Sequence, residues 1–408
     1  MKKKILFVFR DFNDIDHSTP LIYFLKKSSK FKIYTATFKK KYELYPNNNL
    51  DFIKNQLGIE LLHVGNKFNL LGNFFYFFHY KLKKVDFNFP LFQIIINYLS
   101  KYTLKISLFF LKSNINKDLN RIIKSLNPNI VCLDHFLPTH FPYSNLVNIA
   151  KKCGSKIISV PHGVMVFLNL SQNFKKFSNT KENIDYVLST NFYHKSFLMK
   201  SFNISNKRVL SLGSLRYNKS WLKKIDTINK LAAQKNRKKE FDILILTNKI
   251  MYGGDIKNIH YLMDRISQVA NIKVAVKPHT RNMKVSFLRK YIDLKNFYLV
   301  EKIPTSVLIN NSDLIIFWGT SVGLEAISKN KKFIYAKLCH NYPTIYDRIS
   351  KENVATNRNE LDKLILKFLR KRKKNKSINK YQVFLNNQIG DETSVRKYIN
   401  FFEKVSVE

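Results

Sequence analysis

The stretch 311-NSDLIIFWGTSVGLEAISKNKKFIYA-336 decides the fold of this chain. Leu314–Trp318 is a short apolar run of the kind that forms a buried parallel strand. Gly319 permits a tight turn, and the two hydroxyl residues after it can cap a following helix. Phe333–Ala336 is a second apolar run. The stretch therefore predicts a strand, a turn, a helix and a further strand.

The turn in this stretch is suited to an anion. A helix N-terminus presents free N–H groups, and Thr320 and Ser321 add hydroxyls beside them. Glu325, one turn into the predicted helix, could accept hydrogen bonds from a ribose diol. Open parallel sheets bind ligands at their carboxyl edge, so we predict a nucleotide mono- or diphosphate here. The alternative is an ordinary βαβ unit whose glycine serves only the turn.

The composition describes a folded but strongly basic protein. The chain has 408 residues, 45% of them apolar, and a formal net charge of +43. This length predicts two or three domains, and the apolar fraction is sufficient for large cores. Lys, Asn, Ile, Phe and Tyr are all encoded by AT-rich codons, so genome composition explains part of the charge. An anionic membrane surface, nucleic acid or a phosphorylated substrate would still be attracted.

The cysteines and the N-terminus both indicate a cytoplasmic protein. Cys132, Cys153 and Cys339 fit neither a metal motif nor a disulfide framework, which favours a reducing compartment. The apolar run that follows Met1 ends at Arg10, which is too short for the hydrophobic region of a signal peptide. We interpret this run as the first buried strand.

Residues 68–112 form an aromatic and amphipathic insertion. The part from Asn69 to Tyr80 is rich in phenylalanine and is followed by three lysines, Lys81, Lys83 and Lys84. Leu91–Leu111 is interrupted at helical spacing by polar residues, which predicts an amphipathic helix ahead of a separate helix over Ile115–Ser125. The interrupting residues are Gln93, Asn97, Lys101 and Lys105. The insertion either lies in a membrane interface or packs against the N-terminal core. In the first case, the surface would be the inner face of the cytoplasmic membrane.

Apolar runs and helical segments alternate along both halves of the chain. This alternation predicts a first Rossmann-like domain over 1–217, a polar connection over 218–240 and a second such domain over 241–389. Residues 390–408 form a C-terminal helix. The sequence therefore predicts an α/β protein with two Rossmann-like domains that face a central cleft.

Acidic residues are concentrated after the first strand, in a chain that is poor in acids. The segment from Arg10 to His17, read as a loop before a helix over Ser18–Lys27, holds Asp11, Asp14 and Asp16. One of these groups could deprotonate an acceptor hydroxyl, because burial tunes a carboxylate or a histidine towards neutral pH. Asp16 and His17 are closest to the predicted helix and are our catalytic candidates. The alternative is a solvated loop that caps the helix.

Two further strand ends in the first half carry histidines. Asp134 and His135 follow one strand and would bind acceptor or base, or simply hydrogen-bond locally. His162 lies between Pro161 and Gly163 in a constrained turn after the next strand. It could donate to a phosphate or to a leaving-group oxygen, which makes it the third catalytic candidate.

Cationic side chains follow a strand in the second half. Lys277, His279 and Arg281 lie within five residues of one another, which suits a clamp on a departing phosphate. A basic surface patch is the alternative. Arg216, after another strand at the domain junction, could also face the cleft.

In order and spacing, these residues resemble GT-B fold glycosyltransferases of bacterial surface-polysaccharide synthesis. The nearest similarity is to capsule polysaccharide and Kdo-transferase-like proteins and to CDP-glycerol glycerophosphotransferases. The resemblance is carried by Pro161–Gly163, Lys277–His279, Ser312–Asp313, Gly319–Ser321 with Glu325–Ala326, and the closing Gly390–Arg396. Two departures are Thr280, where the family has proline after the histidine, and Thr320, where it has serine.

The resemblance implies a nucleotide sugar, UDP- or CMP-linked, in the second domain and a glycan or lipid-linked acceptor in the first. It implies that Lys277, His279, Thr320 and Ser321 hold the donor phosphate, beside Gly163 and Gly319, and that Glu325 holds the ribose. GT-B enzymes generally need no bound metal, and the sequence has no Asp-x-Asp motif placed for one. We therefore expect no cofactor and no metal.

Three other functions compete with glycosyl transfer. UDP-N-acetylglucosamine 2-epimerases share the two-domain shape, although their Ser-Gly-Gly turn and Gln-Glu-Glu motif do not occur here. A CDP-glycerol glycerophosphotransferase is the second, and a basic nucleic-acid-binding protein is the third. The run Arg370–Lys374 favours the third, but the sequence has no recognition-helix, zinc or RNP-type motif, so a nucleic-acid partner is unlikely.

Overall fold

Buried strands alternate with helices in both halves of the chain, and each half builds one parallel sheet. The computed structural model describes residues 2–45, 47–65, 69–85, 90–134, 141–168, 183–230, 234, 240–248, 253–279, 288–292, 294–370 and 381–407. Helices cover both faces of each sheet, so most of the strands are continuous apolar runs rather than alternating ones. The predicted α/β architecture is confirmed.

The first sheet has a Rossmann-like strand order. Its strands among the described residues are β1 (Lys3–Phe9), β2 (Phe31–Thr37), β3 (Leu61–His63), β4 (Ile130–Asp134), β5 (Lys156–Val160), β6 (Tyr186–Ser189) and β7 (Val209–Ser211). Their order is β3-β2-β1-β4-β5-β6-β7, with every pairing parallel. The direction of strand addition therefore switches between β1 and β4, where such sheets bind ligands.

The helices of the first half lie on both faces of this sheet. They are α1 (Phe12–Lys27), α2 (Lys41–Leu44), α3 (Asn48–Asn55), α4 (Leu70–Lys84), α5 (Pro90–Leu126), α6 (Tyr143–Lys152), α7 (Phe192–Phe202) and α8 (Lys219–Ile228). One core cluster packs α1 and α3 on one face, and a second packs α5 and α6 on the other.

Two of the predicted helix boundaries were wrong. Helix α1 begins at Phe12 rather than at Ser18, because the Asp11 carboxylate caps it by accepting from the Asn13 N–H at 3.0 Å. Asp14, Asp16 and His17 therefore lie on a helix and not in a loop. The two predicted segments over 91–111 and 115–125 form the single helix α5, which has 37 residues.

The second sheet repeats the pattern with a switch between β8 and β11. Its strands among the described residues are β8 (Phe241–Leu246), β9 (Val274–Lys277), β10 (Phe297–Leu299), β11 (Ser312–Phe317), β12 (Lys332–Ala336) and β13 (Val354–Ala355). Their order is β10-β9-β8-β11-β12-β13. The helices are α9 (Ile256–Ser267), α10 (Arg289–Ile292), α11 (Thr305–Asn310), α12 (Gly323–Ser328), α13 (Arg358–Arg370), α14 (Gln382–Ile389) and α15 (Ser394–Val405).

Two segments cross between the halves. Residues 164–168, which we call the strap, leave β5 and enter the second half, where Val164 and Val166 are buried in its core. The Ile345 N–H donates to the Val166 carbonyl at 2.9 Å. In the opposite direction, α15 returns to the first half, where Phe402 is fully buried and the Tyr398 hydroxyl donates to the Gly213 carbonyl at 2.9 Å.

We expect Phe402→Ala to destabilise the protein by about 3–5 kcal/mol, because it leaves a cavity between α15 and the first-half core. Val407→Ala, at a side chain that is 78% exposed, is the matched control and should change stability by less than about 0.5 kcal/mol. Urea unfolding measures both. Equal effects of the two substitutions would show that α15 does not stabilise the first half.

Candidate active site

The carboxyl ends of β1, β4 and β5 bring a cluster of charged side chains together. His162 follows β5, and its Nδ1 lies 2.7 Å from Asp14 Oδ1 and 3.2 Å from Asp134 Oδ2. Asp14 belongs to the first turn of α1, and Asp134 is the last residue of β4. Both carboxylates are almost fully buried. The cluster therefore lies at the switch point of the first sheet, where the fold places ligands.

Arg10 compensates the negative charge of these carboxylates. Its Nη2 lies 2.8 Å from Asp134 Oδ2, and its backbone N–H donates to Asp14 Oδ2 at 2.7 Å. Burial tends to raise the pKa of Asp14, but the hydrogen bond from His162 and the charge of Arg10 outweigh it and lower this pKa. Asp14 is therefore ionised at neutral pH.

The two ring nitrogens of His162 have different surroundings. Nδ1 faces the carboxylates, and Arg10 Nη2 also lies 3.1 Å from it. Nε2 lies 3.4 Å from the Asn13 side-chain amide and 3.5 Å from Arg10 Nη2. In the tautomer with its hydrogen on Nδ1, the ring donates to the carboxylates and Nε2 is an acceptor. An imidazole held this way by a carboxylate can take a proton at Nε2 while the carboxylate stabilises the cation that forms.

His17 lies between this cluster and the second half of the chain. Burial lowers the pKa of His17 to about 4, so the ring is neutral at pH 7. A Cβ added at Gly163 would lie 3.7 Å from His17 Nε2. The His17 ring also meets the edge of Tyr217 at 6.4 Å, and the Tyr217 hydroxyl donates to the Ser321 carbonyl at 2.9 Å. His17 and Tyr217 thus connect the first-half cluster to the turn that follows β11.

Asp16 and Arg216 form an ion pair that crosses the junction. Arg216, in the 3₁₀ turn Leu215–Tyr217, lies 2.8 Å from Asp16 Oδ2 through Nε and 3.1 Å from Glu325 Oε2 through Nη2. Although burial opposes ionisation, the charge of Arg216 lowers the pKa of Asp16. A carboxylate held ionised by a guanidinium is a weak base, and so is an imidazole whose pKa is about 4, so neither Asp16 nor His17 is favoured as the base over His162.

The predicted ribose ligand Glu325 is enclosed. Its side chain is fully buried, and Oε1 lies 3.2 Å from the ammonium of Lys329. Lys329 in turn pairs with Asp226 at 2.7 Å. The structure therefore places Glu325 in an ionic chain inside the junction, with no surface towards the cleft in this arrangement. Its role as a ribose ligand stays a prediction.

The turn after β11 is held by its backbone carbonyls. Gly319 has a φ of +50°, and its carbonyl accepts from the Asn248 side chain at 2.6 Å. The Thr320 carbonyl accepts from the Tyr346 hydroxyl at 2.7 Å. The predicted capping is seen only in part. Helix α12 begins at Gly323 with Val322 as its N-cap residue, but the Thr320 hydroxyl accepts from the Val322 N–H at 3.4 Å. The contacts from Asn248 and Tyr346 orient the turn.

Lys277 ends β9 and supports a neighbouring loop. Its ammonium donates to the carbonyls of Glu301 and of Ile303, the latter at 3.0 Å. Burial lowers the pKa of Lys277 to about 8. Its contacts therefore fix the loop after β10, next to the predicted phosphate site. His279 is partly buried two residues later, whereas Arg281 and His135 lie outside the described residues.

The first-half cluster also has potential ligand atoms close enough together to bind one metal ion. Asp11, Asp14 and His162 offer ligand atoms within 4.8 Å of one another. Arg10 Nη2, 4.0 Å from Asp14 Oδ1 and 2.8 Å from Asp134 Oδ2, supplies a fixed positive charge at the same place. Nucleotide binding with and without EDTA tests the expectation that no metal is needed.

The sequence reasoning did not select the residues that hold His162. Arg10 and Asn13 were not candidates, and Asp14 and Asp134 were named without a partner. The available signal was their position, because Arg10 and Asp134 stand at the ends of the two strands that flank the switch point. Contacts such as that between His162 and Asp14 span 148 residues and leave no local pattern.

Solved structures share this fold. No family model matches the chain, and no curated protein matches it. A UDP-GlcNAc 2-epimerase from Neisseria meningitidis, bound to UDP-GlcNAc, is similar with a TM-score of 0.60 and 15% identity, covering 98% of this chain and 100% of that one. A glycosyltransferase from Rickettsia africae has a TM-score of 0.56 and 14% identity, with coverage of 99% and 98%.

A third similar structure is the wall teichoic acid polymerase TagF, with a TM-score of 0.51 and 11% identity, covering 99% of this chain and 88% of that one. Three differently named enzymes thus share one architecture with this chain. At these identities the likeness establishes the fold alone, which is of the GT-B type with two Rossmann-like domains.

We expect Arg216→Met to destabilise the protein by about 3–5 kcal/mol, because it leaves the buried Glu325 carboxylate without its guanidinium partner. Arg265→Met is the matched control, since Arg265 pairs with Asp362 at 3.1 Å but both side chains are partly exposed. It should cost less than about 1 kcal/mol. Urea unfolding measures both, and adding Glu325→Gln to Arg216→Met should restore part of the loss. A similar small cost for both arginines would rule out a stabilising ion pair at the junction.

Three histidines with lowered pKa values should make the protein acid-sensitive. Burial lowers the pKa values of His17, His194 and His340 to about 4 each, against 6.5 in an unfolded chain. The unfolded state therefore takes up protons first, so stability is full above about pH 7 and is lost as the pH falls from 6.5 to 4.

His194→Gln should flatten this pH dependence by on the order of 2 kcal/mol between pH 7 and pH 4.5. Thermal melts across this range measure the effect. An unchanged slope in the variant would show that His194 is protonated equally in the folded and unfolded states.

Proposed function

We propose that this protein is a glycosyltransferase that moves a sugar from a nucleotide-activated donor to a glycan or lipid-linked acceptor. The observation that carries the proposal is the His162–Asp14 pair, connected through His17 and Tyr217 to the Ser321 turn of the second half. A base and a predicted phosphate site at facing carboxyl edges are what such a transfer needs. The fold supports the proposal, because its structural neighbours include a glycosyltransferase.

The chemistry assigns one task to each half. The acceptor hydroxyl loses its proton to His162 Nε2 as its oxygen bonds to the anomeric carbon. Asp14, ionised and 2.7 Å from Nδ1, stabilises the imidazolium that results. The bond from the anomeric carbon to the phosphate oxygen breaks, and the nucleotide leaves with the electron pair. Groups at the ends of β9 and β11, His279 and the Gly319–Ser321 turn, would bind this anion.

We expect one of UDP, CMP, CDP, GDP or ADP to raise the melting temperature, equally with and without EDTA. A ligand at 100 times its Kd stabilises the folded state by about 2.7 kcal/mol. His162→Gln should keep this shift but lower turnover with the matching nucleotide sugar about 10²–10⁴-fold, because it removes only the base. His279→Ala should reduce the shift itself.

His260→Gln is the matched control for both variants. His260 lies on α9, bonds to the Tyr291 hydroxyl at 3.0 Å, and should change neither binding nor turnover. Turnover that survives His162→Gln would contradict its role as base. If no nucleotide raises the melting temperature, the transferase proposal is contradicted. Nucleic-acid binding is then the function to test, with duplex DNA as the probe.

An epimerase is the second candidate, because the structural neighbours include UDP-GlcNAc 2-epimerases. The two functions differ when no acceptor is present. An epimerase converts the bound nucleotide sugar to its 2-epimer, whereas a transferase leaves it intact or hydrolyses it slowly. Analysis of the nucleotide sugar after incubation distinguishes them. A rise in melting temperature with CDP-glycerol, and with no nucleotide sugar, would indicate a glycerophosphotransferase.

A further inference from the structure

Helices α4 and α5 form a hairpin whose outer surface is apolar. Leu70 is 84% exposed, Phe109 77% and Tyr98 72%. The other exposed apolar side chains of the hairpin are Leu71, Phe74, Phe77, Phe78, Leu91, Phe92, Ile94, Ile95, Leu99 and Tyr102. On α5 the positions 91, 95, 98, 102 and 109 follow helical spacing, so they form one stripe along the helix, which the exposed Lys105 interrupts between 102 and 109. An exposed apolar surface of this extent marks an interaction site.

The interior of the same hairpin is small and polar. A Cβ added at Gly72 would lie 2.7 Å from Leu111 Cγ, so only glycine permits this close approach of the helices. The Ser107 hydroxyl, fully buried, donates to the Gly72 carbonyl at 2.8 Å. His79 Nδ1 lies 2.9 Å from the Ser100 hydroxyl. Small and hydroxyl residues thus line the contact between the helices.

This distribution is the reverse of what water selects. A helix pair in water buries its apolar stripe and exposes its polar residues. Helices in lipid pack through small and hydroxyl residues and turn their apolar side chains outward. The helix Leu91–Leu126 is, among the described residues, the one long and apolar enough to cross a membrane, and only 22% of its apolar window is buried. The hairpin therefore has the arrangement expected of a lipid environment.

The hairpin projects from the edge of the sheet that carries the candidate active site. The Asn145 side chain at the start of α6 donates to Asn116 at 2.8 Å, and the Gly65 N–H after β3 donates to Asp118 at 3.0 Å. Both contacts place residues 116–118 of α5 level with the carboxyl edge. At 1.5 Å per residue, the part of α5 before them extends about 35–40 Å beyond this edge.

Helix α4 fixes the hairpin to the same edge. The Tyr76 hydroxyl donates to Glu43 at 2.8 Å, and Tyr42 packs against Phe77 with ring centroids 6.1 Å apart. Glu43 and Tyr42 belong to α2, which follows the carboxyl end of β2. The hairpin is therefore anchored at the sheet edge that also carries Asp14, His17 and His162.

Charge distinguishes between possible occupants. Residues 69–117 contain seven lysines and one acidic residue, Asp86. Lys101, Lys105, Lys112 and Lys117 are exposed on α5, the last two beside Phe109 around a surface depression of about 720 Å³. Two copies of the chain, each with a net charge of +43, would repel one another at this surface. Anionic lipid head groups would be attracted by the same lysines.

We infer that the α4–α5 hairpin is a docking surface for an anionic lipid bilayer. Its apolar stripe enters the interface, its lysines contact the head groups, and both ends of the hairpin stay on one side of the bilayer. The docking is independent of the reaction proposed above. Only its consequence, that the acceptor comes from the bilayer to which the hairpin docks, rests on the proposed function.

Tryptophan reporters in the full chain test the inference directly. The natural Trp221 and Trp318 are buried, so an added exposed tryptophan reports its own surroundings. Phe109→Trp should show a blue-shifted emission with vesicles of phosphatidylcholine and phosphatidylglycerol, less so with phosphatidylcholine alone or at 0.5 M salt. Phe192→Trp, at a site 68% exposed outside the hairpin, is the matched control and should show no shift.

A second pair of variants tests whether the stripe is required. Tyr98→Glu with Phe109→Glu should lower co-sedimentation with the anionic vesicles at least tenfold. Phe192→Glu with Val383→Glu, which adds the same charge at exposed sites elsewhere, should lower it far less. Both double variants should keep the nucleotide-induced rise in melting temperature, so a failed docking surface and a failed transferase give different results.

Three outcomes would overturn the inference. The first is a wild-type protein that ignores anionic vesicles at moderate salt. The second is equal vesicle binding by the two double variants. The third is a wild-type dimer in solution that only Tyr98→Glu with Phe109→Glu dissociates, without any binding to vesicles, which would assign the surface to a second copy of the chain.

Discussion

The guanidinium of Arg216 lies between carboxylates from both halves of the chain, and the candidate site depends on this position. Asp16 comes from the helix after β1, and Glu325 from the helix after β11. Each helix starts at the switch point of its own sheet. Holding these two helix starts on one cation fixes the separation of the two carboxyl edges, and with it the width of the cleft between them. Burying the charges of Arg216 and Glu325 is costly, and their mutual compensation, together with the partly exposed Asp16, makes the arrangement possible.

Some of the few acidic side chains of this chain are buried at the candidate site and at the junction between the two halves. Only 28 of 408 residues are acidic, yet Asp14, Asp134 and Glu325 are almost fully buried. Each has a cationic partner, either Arg10 or Arg216. The surface is left strongly basic, so long-range attraction concerns anions such as head groups and phosphates. The buried charges hold the candidate site together through ion pairs, and the exposed charges attract anions to the surface.

The sequence predicted the strands well because buried parallel strands need continuous apolar runs, which are local. The predicted run Phe333–Ala336 is strand β12, observed over Lys332–Ala336, and the βαβ unit after Ser312 has the predicted order. The start of α1 was missed because Asp11 caps it, and a cap signal at Asp11 looks like any loop acid. Glu325 was assigned to a ligand because its partner Arg216 lies 109 residues away. Of the two interpretations of the insertion, packing of its aromatic residues on the core does not describe the exposed stripe of α5.

The strap after β5 connects His162 directly to the core of the second half. Two residues beyond the histidine, Val164 is already part of the second core, and the Leu168 N–H donates to the Pro343 carbonyl at 3.0 Å. A rotation of one half against the other would therefore move the short segment from Val164 to His162, and with it the imidazole. Opening the cleft to exchange nucleotide would draw His162 away from Asp14, and closing it would restore the pair. For the proposed transferase, the His162–Asp14 pair would then form only in the closed state, which would keep water from an activated sugar.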